Sequence, residues 1–226
     1  MKRRAGMRQN KIKKKIYRDD SDMPYEWGTE ELTVQLQRPY AIYFNNAPGT
    51  VLEIGCGRGF FLELLINEGI DAYGLDASEE TVRYCTEKDL RVVCDDAIKH
   101  LSSLPSASLG GIFCGHVIEH IQPQQAVIFI DESYRVLKPD GNFVIITPNA
   151  KDLRTTERFW LDITHVRPYP EKLLVALLRK SGYKKISAQE GAEPYKNPYE
   201  RFAKWILRKW FMGYLFRGDL VVIATR

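Results

Sequence analysis

Three glycines alternate through a short stretch, Gly55, Gly57 and Gly59, directly after an apolar run and directly before a helical pattern. Such positions let the chain turn sharply and bring backbone N–H groups close to a ligand, while the following helix offers its positive end. Glu53 precedes the loop. Asp76 ends the next apolar run, 17 residues after Gly59, where a carboxylate can accept both hydroxyls of a ribose. The spacing is G-x-G-x-G, and the sixth position of the dinucleotide pattern G-x-G-x-x-G is the bulky Phe60, which argues against a pyrophosphate packed on the helix. A nucleoside is therefore the expected ligand, and a glycine-rich turn with a capping aspartate is the bland alternative.

Acids and histidines gather further along. Asp95 and Asp96 follow a third apolar run; His116, Glu119 and His120 follow a fourth, the two histidines one helical turn apart. Of the four histidines, His100 stands apart, and His165 lies in Trp160-Leu161-Asp162-Ile163-Thr164-His165-Val166-Arg167-Pro168-Tyr169. The crowding of polar and aromatic groups there reads as a substrate loop. A single imidazole reads equally well as a hydrogen-bonded spacer, but the joint placement points to proton transfer or metal ligation. Trp160, Asp162, Arg167 and Tyr169 are candidate substrate-binding residues, since aromatic faces stack on sugar CH surfaces and charged groups bind hydroxyls.

Positioning these groups calls for a sheet. Short β-branched runs at 50–54, 71–75, 91–94, 110–114 and 142–147 alternate with helical patterns at 59–68, 78–88 and 123–137. Each run is largely apolar, as expected for a strand buried on both faces. Ser78 opens the second helix with Glu79 and Glu80 in its first turn, and Lys138-Pro139-Asp140-Gly141 reads as the stop and turn after the third. A helix at 170–180, closed by Ser181-Gly182, precedes strand candidates 183–188 and 219–225. The fold class is α/β, a doubly wound and mostly parallel sheet, in which ligands sit beyond the carboxyl ends of the strands. Residues 19–48 form a leading segment with helical potential and 190–218 an insertion; both are lid candidates, and 49–226 reads as one domain.

A chain of 226 residues, 44% hydrophobic and 27% charged, is in the globular range, which sets aside wholesale disorder and collagen-like repeats. Residues 1–18 carry nine Lys or Arg and no acid, leaving 24 basic against 29 acidic residues in the rest. Such a block reads as a flexible, solvated tail, with phosphate binding as the alternative. Cys56, Cys85, Cys94 and Cys114 form no C-x-x-C pair, which suits a reducing compartment. No apolar run approaches the roughly 18 to 20 residues of a membrane span, so the chain is expected in the cytoplasm.

Glu53-Ile54-Gly55-Cys56-Gly57-Arg58-Gly59 resembles motif I of class I S-adenosylmethionine-dependent methyltransferases. In that resemblance Asp76 matches the acidic residue that binds the ribose, and Asp95-Asp96-Ala97 the position that meets the adenine amino group, with Asp96 the preferred match. The block from Gly110 to Asn149 is similar to the fourth and fifth strand motifs, so the resemblance covers residues 40–188 with a final strand at 219–225. It implies a seven-stranded Rossmann-like sheet with an antiparallel last strand, and S-adenosyl-L-methionine as cofactor. In-line methyl transfer asks the protein chiefly to align donor and acceptor, with a base to take a hydroxyl proton.

His116, His120 and His165 are the candidate catalytic residues, with His116 or His165 as a base without metal. Alternatively Glu119, His120 and His165 bind Mg²⁺, as a similar E-x-x-E-H plus a distant His does in small-RNA 2′-O-methyltransferases and ubiquinone-biosynthesis O-methyltransferases. Here His116 stands where those families place the first Glu, and Mg²⁺ prefers oxygen ligands, so the metal-free reading ranks first. The H-x-x-E-H pattern followed by D-x-T-H-V-R-P-Y also resembles methyltransferases of sugar and polysaccharide biosynthesis. A sugar or glycan hydroxyl is therefore the first-ranked acceptor, an RNA 2′-hydroxyl the second, and a nucleoside-binding fold without catalysis the non-enzymatic alternative.

Residues 199–217, YERFAKWILRKWFMGYLFR, interleave Phe202, Trp205, Ile206, Trp210, Phe211, Tyr214, Leu215 and Phe216 with Arg201, Lys204, Arg208 and Lys209. At helical spacing this makes an apolar face flanked by cations, which suits the interface of an anionic membrane, here the inner membrane surface. Packing on the domain or in a dimer is an equal alternative.

Overall fold

The computed structural model describes residues 30–152, 159–192, 199, 202, 205, 206, 209, 210 and 218–226. The basic tail 1–18, residues 19–29 and most of the aromatic insertion lie outside the described residues. Seven strands, β1 (Val51–Ile54), β2 (Ala72–Asp76), β3 (Val92–Cys94), β4 (Leu109–Gly115), β5 (Leu137–Thr147), β6 (Lys185–Glu190) and β7 (Leu220–Thr225), make one sheet in the order β3-β2-β1-β4-β5-β7-β6. Strands β1 to β5 are parallel, and β7 is antiparallel to both β5 and β6. The expected seven-stranded sheet with an antiparallel last strand is thus present. The order reverses at β1, which has β2 on one side and β4 on the other, and the carboxyl ends of those strands define the cleft.

Helices among the described residues include α1 (Glu30–Gln37), α2 (Phe60–Asn67), α3 (Glu79–Glu87), α4 (Ala97–Ser103), α5 (Pro123–Val136) and α6 (Glu171–Ser181). Side chains alternate across each strand, so Leu52, Ile112 and Phe143 bury one face with Leu101 of α4, Phe129 of α5 and Leu174 of α6. Val51, Phe113 and Val144 bury the other with Phe61, Leu62 and Leu65 of α2. Ser78 caps α3 by accepting the Thr81 N–H, as its position before Glu79 and Glu80 implies.

Three features depart from the sequence reading. Residues 138–141 do not separate α5 from the next strand: α5 ends at Val136 and β5 begins at Leu137. Leu137 pairs with Leu109 and Asn142 with Gly111, so the Lys-Pro-Asp-Gly turn is accommodated as an irregularity inside β5, with Asp140 at φ 63°. Helix α4 was not expected, and Asp96 makes it by accepting the Ile98 and Lys99 N–H groups at its start. Lastly, the leading segment is not all lid. A 3₁₀ turn, Arg38–Phe44, buries Tyr40, Ala41 and Phe44 in the core, with the Phe44 ring edge-on to Phe61 and Phe113.

Phe44 fills space that Gly111 leaves open, since a Cβ at Gly111 would meet its ring at 2.6 Å. Phe44→Ala is expected to destabilise the fold by about 3–5 kcal/mol in urea titrations. A change below about 1 kcal/mol would mean that the turn is not a core element.

Candidate active site

The glycine loop closes over the end of β2. Gly55, Gly57 and Gly59 all have positive φ, and the Asp76 carboxylate is held by two backbone donors, Gly57 N–H on Oδ2 at 3.1 Å and Ser78 N–H on Oδ1 at 2.9 Å. From beneath, the Cys85 thiol donates to Gly57 O at 3.2 Å. Gly57 is glycine for a conformational reason, because a Cβ there would meet nothing within 4 Å, yet φ is 52°. Glu53 is buried and its Oε2 lacks a hydrogen-bond partner. Burial first and the Asp76 carboxylate second hold its pKa well above the usual carboxylate range.

At the end of β3 the two acids are already engaged. Lys99 pairs with Asp95 at 2.6 Å and depresses its pKa, and the Asp96 Oδ1 caps α4. These contacts give Asp96 a structural role that its position as the preferred adenine match did not reveal.

The end of β4 is built around a buried carboxylate. Glu119 has no exposed surface; its Oε2 accepts the Thr147 hydroxyl at 3.0 Å, while Oε1 has no hydrogen bond of good geometry and faces His116 Nδ1 at 3.4 Å. Its backbone carbonyl receives the N–H groups of Val166 and Arg167, which fastens the 160–169 loop to this point. His116 adopts φ 55°, rare for a residue with a Cβ, and its Nε2 lies 3.3 Å from Asp219 Oδ2. Burial pulls the His116 pKa down, but Asp219 and Glu119 together outweigh it and hold it well above the ordinary imidazole value. A raised pKa counts against His116 as the general base, because the protonated imidazole has no lone pair to accept a proton.

His120 and His165 are arranged differently. The Thr164 hydroxyl donates to Asp162 Oδ1 at 2.6 Å, so it accepts at 2.9 Å from His120 Nδ1–H. His165 Nδ1 lies 2.6 Å from the Phe159 carbonyl, which can only accept. Both rings therefore carry their proton on Nδ1 and leave Nε2 bare, the second-shell pattern typical of proton acceptors and metal ligands. Burial lowers the His120 pKa further, with Glu119 opposing. The two rings stand 4.6 Å apart, His165 stacks on Phe159, and one donor atom from each of Glu119, His120 and His165 lies within 4.8 Å of the other two.

The proposed substrate residues divide. Trp160 is 63% exposed beside the His165 stack, and Arg167 is half-buried over the Tyr169 ring. Asp162 is buried and serves to orient Thr164, accepting its N–H as well as its hydroxyl. Tyr169 is not a substrate wall: its ring is in the hydrophobic core and its hydroxyl donates to the Ile121 carbonyl. Thr147, Thr164 and Asp219 were missed. The last was reachable, since an antiparallel final strand starting at Leu220 brings Asp219 to the carboxyl end of β5.

Residues 26–188 match the family described as a methyltransferase domain. The chain belongs to this methyltransferase family. A SAM-dependent methyltransferase from Archaeoglobus fulgidus has a solved structure that superposes with a TM-score of 0.77 at 28% identity, covering 95% of this chain and 98% of that one. A probable S-adenosylmethionine-dependent methyltransferase of Mycolicibacterium smegmatis is 32% identical over 133 residues, 59% of this chain and 51% of the relative. A mitochondrial ubiquinone biosynthesis O-methyltransferase of Mus musculus is 30% identical over 111 residues, 46% of this chain and 30% of its own length. The chain spans about half the length of the curated relatives first matched. S-adenosylmethionine is the cofactor of this class I methyltransferase, and the residues suit it: open space over Gly57, a two-oxygen carboxylate at Asp76 and a Glu53 oxygen still short of a donor.

Asp76→Ala is expected to weaken S-adenosylhomocysteine binding by about 10- to 100-fold in isothermal titration, as for loss of charged hydrogen bonds. Undiminished affinity would remove the ribose contact. In NMR titrations of the methyltransferase His116 should titrate well above, and His120 below, the ordinary imidazole range. Asp219→Asn should lower the His116 value, and its contribution to stability should be present in acid and fade as pH rises through the raised pKa.

Proposed function

We propose that this methyltransferase transfers a methyl group to a hydroxyl of a sugar, glycan or related small molecule, with His120 as the base. The observation that carries the reading is the chain Asp162–Thr164–His120, which leaves the His120 Nε2 unprotonated on a ring 4.6 Å from that of His165. S-adenosylmethionine, when bound, supplies an electrophilic methyl on a sulfonium. The glycine loop and Asp76 would hold the ribose end, with residues 95–97 toward the adenine. His120 Nε2 would take the hydroxyl proton as the acceptor oxygen attacks the methyl carbon, the cofactor's sulfur accepting the bonding pair as a neutral thioether leaving group. The lowered His120 pKa keeps the accepting form populated at neutral pH. The exposed face of Trp160 supports a sugar or other ring-bearing acceptor, and Arg167 its hydroxyls.

A second reading is favoured by the half-satisfied Glu119 carboxylate. Glu119, His120 and His165 would hold a divalent cation that acidifies the acceptor hydroxyl. Two nitrogens and one carboxylate suit a nitrogen-tolerant metal better than Mg²⁺, and His116, its pKa raised beside the same carboxylate, competes for that negative charge. The metal-free reading therefore ranks first.

Radiolabelled methyl transfer to oligosaccharides, phenols and single-stranded RNA tests both. His120→Ala is expected to slow transfer at least about 100-fold, and His116→Gln much less. Rates should rise with pH through the lowered His120 pKa and be flat by neutrality. Insensitivity to EDTA supports the base; loss restored by Mn²⁺ or Zn²⁺ selects the metal. No transfer to any hydroxyl acceptor overturns the proposal.

A further inference from the structure

Residues 191–219 leave and rejoin the sheet at the carboxyl end of β5, the edge that carries the active site, and Gly191 N–H donates to the Asp219 carbonyl at the base of the excursion. Within it, Tyr199, Phe202, Trp205, Ile206, Lys209 and Trp210 are helical. Their spacing of three and four residues puts them along one helix face. That face is not folded against the domain: Tyr199 is 85% exposed, Phe202 60%, Trp205 56% and Trp210 80%. Phe202 stacks on Trp205 at 5.9 Å, and the Lys209 ammonium sits 5.5 Å over the Trp205 ring. The exposure removes the simplest alternative for the described residues, a helix buried on its own domain.

We propose that this face docks on an anionic lipid surface, presenting the active-site edge of the sheet to the membrane. Charge complementarity selects this occupant. Residues 199–217 carry five basic side chains, Arg201, Lys204, Arg208, Lys209 and Arg217, against the single acid Glu200, while the chain after residue 18 is acidic on balance. Aromatic rings interleaved with cations suit the headgroup boundary, where rings enter the acyl edge and ammonium and guanidinium groups meet phosphates. The attachment is peripheral, because among the described residues no helix is long and apolar enough to cross a membrane. An acceptor on a lipid carrier would then be met at the site without leaving the surface. The proposal does not depend on the identity of that acceptor.

Co-sedimentation of the full chain with phosphatidylcholine vesicles, with and without about 50% phosphatidylglycerol, tests it. Binding is expected only to the anionic vesicles, with tryptophan fluorescence shifting to the blue and affinity falling as salt rises. The triple change Phe202→Ala, Trp205→Ala, Trp210→Ala should reduce binding at least about tenfold, and so should Lys204→Glu with Lys209→Glu. Both variants should keep S-adenosylhomocysteine affinity, which shows that they fold. Absence of binding by the unaltered chain overturns the proposal. So does binding that survives the aromatic changes but is lost on deleting residues 1–18, or a dimer in sedimentation velocity that the triple change dissolves.

Discussion

A carboxylate removed from water is unfavourable unless neighbours return hydrogen bonds and opposite charge, and Glu119 sits at full burial on those terms. The groups that answer it come from every part of the acceptor side of the cleft. Thr147 ends β5, His116 directly follows β4, and Asp219 reaches His116 from just before β7. The Glu119 main chain receives Val166 and Arg167 from the loop that carries His165. Removing its side chain would leave the Thr147 hydroxyl without its acceptor and His116 with Asp219 as its remaining carboxylate. The same arrangement raises the His116 pKa, while burial lowers that of His120 against the opposing pull of Glu119.

The donor side rests on a smaller version of the same principle. Asp76 draws two backbone N–H groups to itself and so fixes the glycine loop before any ligand arrives. The halves touch directly: a Cβ on Gly55 would lie 2.3 Å from Val117 Cγ2, so loop and acceptor segment are packed against one another. Preorganisation at this level suits a reaction in which alignment supplies most of the rate.

Much of this was legible in the residues alone, where the chemistry was local. Alternating glycines followed by Asp76 specify a turn and a carboxylate whatever the rest does, and apolar runs of strand length specify a parallel sheet. Legibility ended where one residue type serves two purposes. Asp96, the preferred adenine match, also caps α4, and Tyr169, proposed to line the substrate cleft, fills the core. The pairing of His116 with two carboxylates was hidden because they are separated from one another by 100 residues and meet only when β7 pairs with β5. Lys138-Pro139-Asp140-Gly141 has the composition of a loop, and only the pairing on either side shows that β5 passes through it.

The central claim is that hydrogen bonds near Glu119 leave the Nε2 atoms of His120 and His165 unprotonated on neighbouring rings. Nitrogen-15 NMR of the histidine rings reads this directly, because the protonated nitrogen of a neutral imidazole has its own chemical shift. In their neutral form both residues should show the proton on Nδ1, and Thr164→Val should release His120 from that tautomer while leaving His165 unchanged. A proton on Nε2 of either ring in the unaltered chain would contradict the account.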